Sequence, residues 1–369
     1  MSKLDDARNT INEIDKQMSK LFYERMKAVE TVAQHKKECG LPIFDKDREK
    51  AMLDKNSKYI SDDSIRSYYI RFLQQEMELS KQYQESLIKG RKVSYSGVEG
   101  AFANIAAKRI FPYSRLVAYS DFKSAYDSVV SGESDCCVLP IENSYAGEVG
   151  QVMDLMFSGS LYVNGVYTLK ISHNLLGVSG AKLSDIKYVI SHPQALSQCA
   201  NYIKDHGFES IEATNTARAA KQTAQKGDKT LAAIASADTA KLYNLEVLDH
   251  DINESDTNST RFAVFSRVAN NFSGSKDSKK FLLMFTVKNE AGALAQAINV
   301  IGSYGYNMKA LRSRPMKELA WQYYFYVEAE GDETSENGKK MLEEIKRHCD
   351  KLKVVGHYSV EVLLKEDKK

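Results

Sequence analysis

Arg8, Arg25 and Lys36 lie on or beside an apolar stripe (Leu4, Ile11, Ile14, Met18, Leu21, Phe22, Val29, Val32) in a stretch free of Pro and Gly. One such cation is explained by a stem that covers apolar surface while the charge reaches water. Three are harder to explain, because a cation withdrawn from water needs an anion beside it. Asp45, Arg48 and Glu49 follow at i, i+3 and i+4, and Ser80 and Gln84 share a further helix face. The set holds cations, two carboxylates, a hydroxyl and an amide, with no nucleophile–base pair. Its chemistry is to bind a small dianion and stabilise a shift of charge, without covalent attack.

Arg25 and Lys36 are 11 residues apart, which at about 100° per residue is nearly one helix face. Arg8 precedes Arg25 by 17 residues, about 25 Å along the axis and about 100° round it. From the same straight helix it does not reach the same small ligand. An antiparallel neighbouring chain delivers it.

A second group sits where apolar runs meet small polar loops. "NESDTNSTRFAVFSR" (253–267) places Thr260 and Arg261 at the start of a strand. "LPIENSYAGEVG" (139–150) puts Glu142, Asn143 and Ser144 directly after an apolar run, and "ISHPQALSQC" (190–199) does the same with Ser191, then Gln198. "YSGVEGAFAN" (95–104) reads strand, Gly, turn and helix, so N–H groups at the helix start can receive a carboxylate. Taken alone, each stretch reads equally as a turn or helix cap. His192, in "SHPQ", orders the turn before Pro193 rather than acting as a general acid.

These residues need three kinds of scaffold. Residues 4–36 predict one long helix, about 50 Å at 1.5 Å per residue, stopped by "CGLP" at 39–42. "FDKDREKAMLDKNSKY" restarts a shorter helix, and Asp63 to about Lys89 forms a third. Helices so unequal do not close a core alone, so dimerisation through this segment is expected. From residue 92, β-branched or aromatic runs alternate with helical stretches in two similar sets, which predicts two α/β lobes with largely parallel strands and a ligand crevice. "NNFSGSKDSKK" (270–280) reads as a linker, and beyond it the order is βαββαβ, ferredoxin-like. The fold class expected is multidomain, α and α/β, with domains at 1–90, 91–270 and 280–361.

Composition narrows the partners. With 43% apolar and 27% charged residues and a net charge of +2, the chain is globular and has no concentrated basic face for nucleic acid. Cys39, Cys136, Cys137, Cys199 and Cys349 lack metal-ligand spacing and read as reduced thiols, with Cys136 and Cys137 packing in a strand. No metal and no cofactor is expected. No apolar run approaches the ~20 residues that span a bilayer, and the amino terminus has no signal core, so a cytoplasmic location is expected.

The spacing Arg8…Arg25…Lys36…"FDKDRE"…Ser80…Gln84 resembles the all-helical chorismate mutase domain, an intertwined dimer in which the residue matching Arg8 enters the partner's site. The resemblance implies a pericyclic rearrangement of chorismate to prephenate. Arg8 and Arg25 would hold the two carboxylates, with Arg48 and Ser80 assisting. Lys36 and Gln84 would hydrogen-bond the ether oxygen, while Asp45 and Glu49 orient the ring hydroxyl. Catalysis by Lys36, Glu49 and Gln84 then rests on proximity and electrostatic stabilisation.

Residues 92–268 resemble prephenate dehydratase, whose Thr-Arg-Phe signature is Thr260, Arg261 and Phe262 here. The resemblance implies that Thr260 helps the ring hydroxyl leave as water, that Arg261 pairs with a substrate carboxylate, and that Asn143, Ser191 and Gln198 bind substrate. Phenylpyruvate and carbon dioxide are the products. The tail resembles an ACT domain, implying phenylalanine bound between paired domains at Gly292, Ala293, Leu294, Ser313, Arg314 and Pro315, with feedback inhibition. Ala295 stands where the family has Val, and Arg312 where it has Glu, a charge reversal that implies altered control. A homodimer through the helical and ACT segments, or a tetramer, is expected. Two rivals are an arogenate-preferring dehydratase and a non-catalytic dimeric sensor.

Overall fold

The computed structural model describes residues 2–255, 257–270, 279–316, 322–359 and 361–365. Residues 271–278 of the expected linker and Trp321, the expected start of a strand, lie outside them. The chain divides into two compact units, residues 1–92 with 113–115, and residues 93–112 with 116–369. No helix among the described residues is long and apolar enough to cross a membrane.

The first unit is helical: α1 (Lys3–Cys39), α2 (Lys46–Asn56) and α3 (Asp63–Lys89). Ser2 opens α1 with a reciprocal cap, its hydroxyl accepting from Asp5 N while the Asp5 carboxylate accepts from Ser2 N. Gly40 closes it at φ 66°, a left-handed conformation that a Cβ would strain. α1 packs on α3, burying Val29, Ala33, Leu73 and Met77. The amino-terminal half of α1 is different. Leu4, Ile11, Ile14, Met18, Leu21 and Phe22 are all exposed in a single chain.

In the second unit the first lobe comprises β1 (Lys92–Ser96), α4 (Phe102–Ile110), β2 (Arg115–Tyr119), α5 (Phe122–Val130), β3 (Cys136–Asn143), β4 (Gly147–Glu148), α6 (Gly150–Ser158) and β5 (Tyr162–Lys170). The chain leaves it to build a second lobe. That lobe holds β6 (Asn174–Gly177), β7 (Tyr188–Ser191), α7 (Pro193–Gln198), α8 (Ala200–Asp205), β8 (Glu209–Glu212), α9 (Thr216–Lys226), β9 (Leu231–Ala235), α10 (Ala237–Tyr243) and β10 (Glu246–Asp249). It returns to the first lobe through β11 (Ser259–Ser266).

The exit strand β5 and the return strand β11 pair antiparallel, with Thr260 opposite Leu169. β11 also pairs antiparallel with β3, placing Thr260 opposite Asn143. The expectation of largely parallel strands is therefore corrected: β1 and β3 are parallel, as are β7, β8 and β9, but the crossing strands are not. A chain that goes out and comes back through adjacent strands has to run them in opposite directions. Cys136 and Cys137 are buried in β3.

The remaining order is β12 (Lys280–Thr286), α11 (Ala293–Ser303), β13 (Asn307–Pro315), β14 (Tyr323–Glu330), α12 (Glu336–Ile345) and β15 (Lys351–Tyr358), then β16 (Val362–Leu364). These strands join the first lobe in one 11-stranded sheet, in the order β13-β14-β12-β15-β5-β11-β3-β1-β2, with β16 also paired to β5 and β4 to β3. β12 is buried on both faces. Phe281, Leu283 and Phe285 share a core with α11 and α12, whereas Leu282 and Met284 share one with Met153, Met156 and Phe157 of α6. This accounts for the unbroken apolar run "FLLMF".

Candidate active sites

In the helical unit, Arg25 from α1 meets two groups of α3 that lie four residues apart, Glu76 and Ser80. Its Nη1 donates to Ser80 Oγ, and its Nε pairs with Glu76 Oε1 at 3.0 Å. Ser80 Oγ donates to Glu76 O at 2.7 Å, and Gln84 Nε2 donates to Ser80 O at 3.3 Å. Ser80 and Gln84 are buried, and Gln84 Oε1 has no hydrogen-bond partner among the described residues. Lys36 Nζ donates to Ile43 O at 2.6 Å, and Glu49 pairs with Lys81 at 3.2 Å.

Arg25, Ser80 and Gln84 are thus brought together. Arg8 and Arg48 are exposed. Asp45, expected to orient a ligand hydroxyl, caps α2 instead, accepting from Arg48 N at 3.0 Å. Glu76 was missed, although its place four residues before Ser80 put it on the same face.

In the second unit a cavity of about 190 Å³ opens between the lobes. Ala101, Phe102, Asn143 and Thr260 line it from the first lobe, and His192, Gln194, Gln198, Asn215 and Thr216 from the second. Ile171 and His173 line it at the crossing. Asn143 Nδ2 donates to Thr260 Oγ1 at 2.9 Å and to Asn258 Oδ1 at 3.1 Å. Asn258 Nδ2 donates to Gln198 Oε1 at 3.0 Å. Gln198 Oε1 also receives His173 Nε2 at 2.9 Å. Burial lowers the pKa of His173, and the Gln198 bond only partly opposes this, so the ring is neutral. His192 caps α7, its Nδ1 accepting from Gln194 N at 3.2 Å, the turn-ordering role expected of it.

Among the described residues that line this cavity there is no Lys or Arg. Arg261, expected as a carboxylate clamp, is the main correction. Successive residues of a strand face opposite sides, so Thr260 on β11 turns toward the cavity and Arg261 away from it. The guanidinium meets Glu328 Oε2 at 2.9 Å, Glu142 Oε2 at 3.0 Å and Glu361 Oε1 at 3.1 Å, and donates to the Tyr358 hydroxyl at 3.1 Å. Burial opposes its charge, but Glu328 above all, with the other groups, raises its pKa further.

Ser191 is also displaced from the expected role. It is fully buried, and its hydroxyl donates to Ile234 O at 2.6 Å. Two helix starts also reach the cavity. α4 begins at Ala101–Phe102 with no side-chain cap, and α9 begins at Asn215–Thr216. First-turn N–H groups and the positive end of the helix dipole favour a carboxylate there. The α4 start was legible in the Gly-turn-helix pattern. His173, Asn258, Asn215 and Thr216 were not singled out.

Of the residues expected to hold an effector, Gly292 is the left-handed cap of α11, and Ala293 and Leu294 form its first turn. Ser313 and Pro315 lie on the exposed face of β13. Arg314 is on the opposite face, where its Nε donates to the Tyr324 hydroxyl at 3.1 Å and pairs with Asp154 at 3.5 Å. Arg312 shares that face and pairs with Glu142, with Glu148 at 3.6 Å. Its reversed charge is therefore answered by carboxylates of the first lobe.

The chorismate mutase type II family model matches residues 7–85, and the prephenate dehydratase model residues 93–270. A bifunctional chorismate mutase/prephenate dehydratase from Aquifex aeolicus is 31% identical, covering 97% of this chain and 98% of that one. One of the same description from Buchnera aphidicola is 32% identical over 96% of each. The solved prephenate dehydratase of Arthrobacter aurescens, in complex with L-Phe, is 25% identical with a TM-score of 0.67, covering 73% of this chain and 89% of that one. With both helical and two-lobed segments matched in one chain, this protein belongs to the bifunctional chorismate mutase/prephenate dehydratase family.

Proposed function

We propose that the helical unit rearranges chorismate to prephenate and that the cavity between the lobes converts prephenate to phenylpyruvate, water and carbon dioxide, without a cofactor. The first step needs the substrate held folded and its breaking ether bond met by hydrogen-bond donors. Arg25 and Ser80 take a carboxylate, Lys36 and Gln84 face the ether oxygen, and Glu49 holds the ring hydroxyl. The exposed amino-terminal stripe of α1 supports a second copy lying against it, which brings Arg8 into the site. A contiguous apolar patch of this kind marks an interface. On this reading the protein assembles through that stripe as a homodimer.

In the second step the carboxylates rest on the starts of α4 and α9. Thr260, whose oxygen accepts from Asn143, directs its own hydrogen at the departing hydroxyl. That single contact carries the reading, because it leaves the Thr260 hydrogen free to donate into a cavity that, among the described residues, is lined by no Lys or Arg. The C-terminal βαββαβ segment is an ACT domain that binds phenylalanine at the start of α11 and the exposed face of β13 and slows the dehydratase. The relative solved with L-Phe supports that ligand.

The test is to add chorismate to the purified protein and follow prephenate and phenylpyruvate. Sequential appearance of both is expected. Unchanged chorismate overturns the first assignment, and prephenate accumulating without phenylpyruvate overturns the second.

A further inference from the structure

The amides around Thr260 determine the direction of each hydrogen bond among them, and so the tautomer of His173. Backbone N–H groups of Tyr145 and Ala146 donate to Asn143 Oδ1 at 3.0 and 2.9 Å, which makes Nδ2 the donor end of that side chain. Asn258 therefore turns Oδ1 to Asn143 and Nδ2 to Gln198. Gln198 presents its oxygen, so His173 Nε2 carries the proton and Nδ1 a bare lone pair. His173 is 2% exposed and lines the cavity, with Phe102 edge-on to its ring. Its Nδ1 has no partner among the described residues. A buried acceptor of this kind is unfavourable until something donates to it.

We propose that His173 is a substrate-contacting residue of the dehydratase site, its Nδ1 accepting the hydrogen of the departing ring hydroxyl while Thr260 Oγ donates to the same oxygen. The inference rests on the assignment of Thr260 above. At neutral pH both carboxyl groups of prephenate are ionised and its keto group only accepts, so the ring hydroxyl is its one hydrogen-bond donor. A neutral acceptor in the wall has no other group to take. In the reaction the ring C–O bond breaks with its electron pair going to oxygen. The C–C bond to the departing carboxylate supplies the pair that completes the aromatic ring. The oxygen keeps its own hydrogen, held by Nδ1, and gains a second from Thr260, which recovers one from solvent. One proton is consumed, and water and carbon dioxide leave. Holding the first hydrogen on one side turns a lone pair of the oxygen toward Thr260.

Two isosteres separate this contact from a role in holding Gln198. His173→Gln places an amide nitrogen near Nε2 and removes the acceptor, whereas His173→Asn places an amide oxygen near Nδ1 and removes the Gln198 bond. In the full-length protein, with the denaturant midpoint of the second unit as the check on folding, His173→Gln is expected to lower kcat/KM for prephenate roughly tenfold, the loss of one hydrogen bond. Inhibition by phenylpyruvate, which lacks the hydroxyl, is expected to hold within about twofold. His173→Asn is expected to keep most of the rate. If His173→Asn falls as far as His173→Gln, or if phenylpyruvate affinity falls alongside, His173 only supports the wall and the proposal fails. A Thr260→Ala protein that still dehydrates prephenate strikes the site assignment instead.

Discussion

Thr260 and Arg261 are adjacent on β11 and serve opposite faces of it: one hydroxyl in the cavity wall, one guanidinium among Glu142, Glu328 and Glu361. The strand that carries Thr260 is thereby tied on its other side to β14, β15 and the segment before β16. Glu328 is 1% exposed, and although burial opposes its ionisation, Arg261 keeps its pKa below the usual carboxylate value. Truncating one partner of such a pair strands the other charge. Arg261→Ala is expected to cost the second unit about 3–5 kcal/mol, read as a shift in denaturant midpoint, while the helical unit keeps chorismate turnover. A loss of prephenate affinity at unchanged stability would restore the clamp role for Arg261.

Arg312 on β13 reaches Glu142, the neighbour of Asn143, so the C-terminal segment touches the strand end that positions Thr260. The pair is about one-quarter to one-third exposed, which limits its worth. Arg312→Glu sets like charges against Glu142 and Glu148. A two- to tenfold fall in dehydratase kcat is expected, about 0.4–1.4 kcal/mol, together with an altered phenylalanine response. In a Glu142→Gln background the same change is expected to do much less. Equal effects in both backgrounds would show that Arg312 acts elsewhere.

These contacts mark where sequence reading succeeds and stops. Period and punctuation were enough for α1, for βαββαβ and for the shared face of Ser80 and Gln84, because helix spacing alone sets it; that Arg25 of α1 joins them was implied only by the resemblance to the chorismate mutase domain. Asn143, Gln198 and Thr260 were legible as polar residues at strand and helix ends. Arg261 was misassigned although the rule that turns it away, alternation along a strand, was available. Ser191 sits at a strand end too, and only the pairing of β7 with β9 shows that it is enclosed. His173 and Asn258 join the cavity wall through a bond network linking residues 143, 173, 198 and 258, which no local pattern encodes.

Stability should also depend on pH through His357 on β15. Its Nδ1 pairs with Glu333 at 2.7 Å and its Nε2 with Asn270 O at 2.6 Å. The Glu333 hydrogen bond raises its pKa above 6.5, against the effect of burial. The folded state therefore binds the proton more tightly than the unfolded one. The contribution is complete below 6.5 and is lost as pH rises through the raised folded-state value. His357→Gln is expected to remove that slope from denaturant midpoints measured between about pH 5.5 and 8.5. A variant that kept the full slope would assign the titration to another group.

The two activities should separate by mutation. Arg25→Ala removes the group that meets Ser80 and Glu76, and is expected to lower chorismate turnover roughly a hundredfold or more while added prephenate is still dehydrated. Thr260→Ala is expected to do the reverse. Loss of both activities from either change would contradict separate sites.

Arg8 supplies the sharpest test of the helical dimer. It is exposed in the single chain and stands about 25 Å along α1 from Arg25, too far for both to hold one small ligand. If each site takes Arg8 from one chain and Arg25 from the other, Arg8→Ala and Arg25→Ala proteins are each inactive as mutases. Their mixed dimer is not: one of its sites lacks both arginines, and the other retains both. Random re-pairing after unfolding and refolding the two together should make half the dimers mixed, restoring about a quarter of the wild-type mutase rate. Wild-type protein taken through the same cycle reports the mutase activity recovered on refolding. A mixture that stays inactive while refolded wild type regains its mutase rate would place Arg8 in its own chain's site or in none.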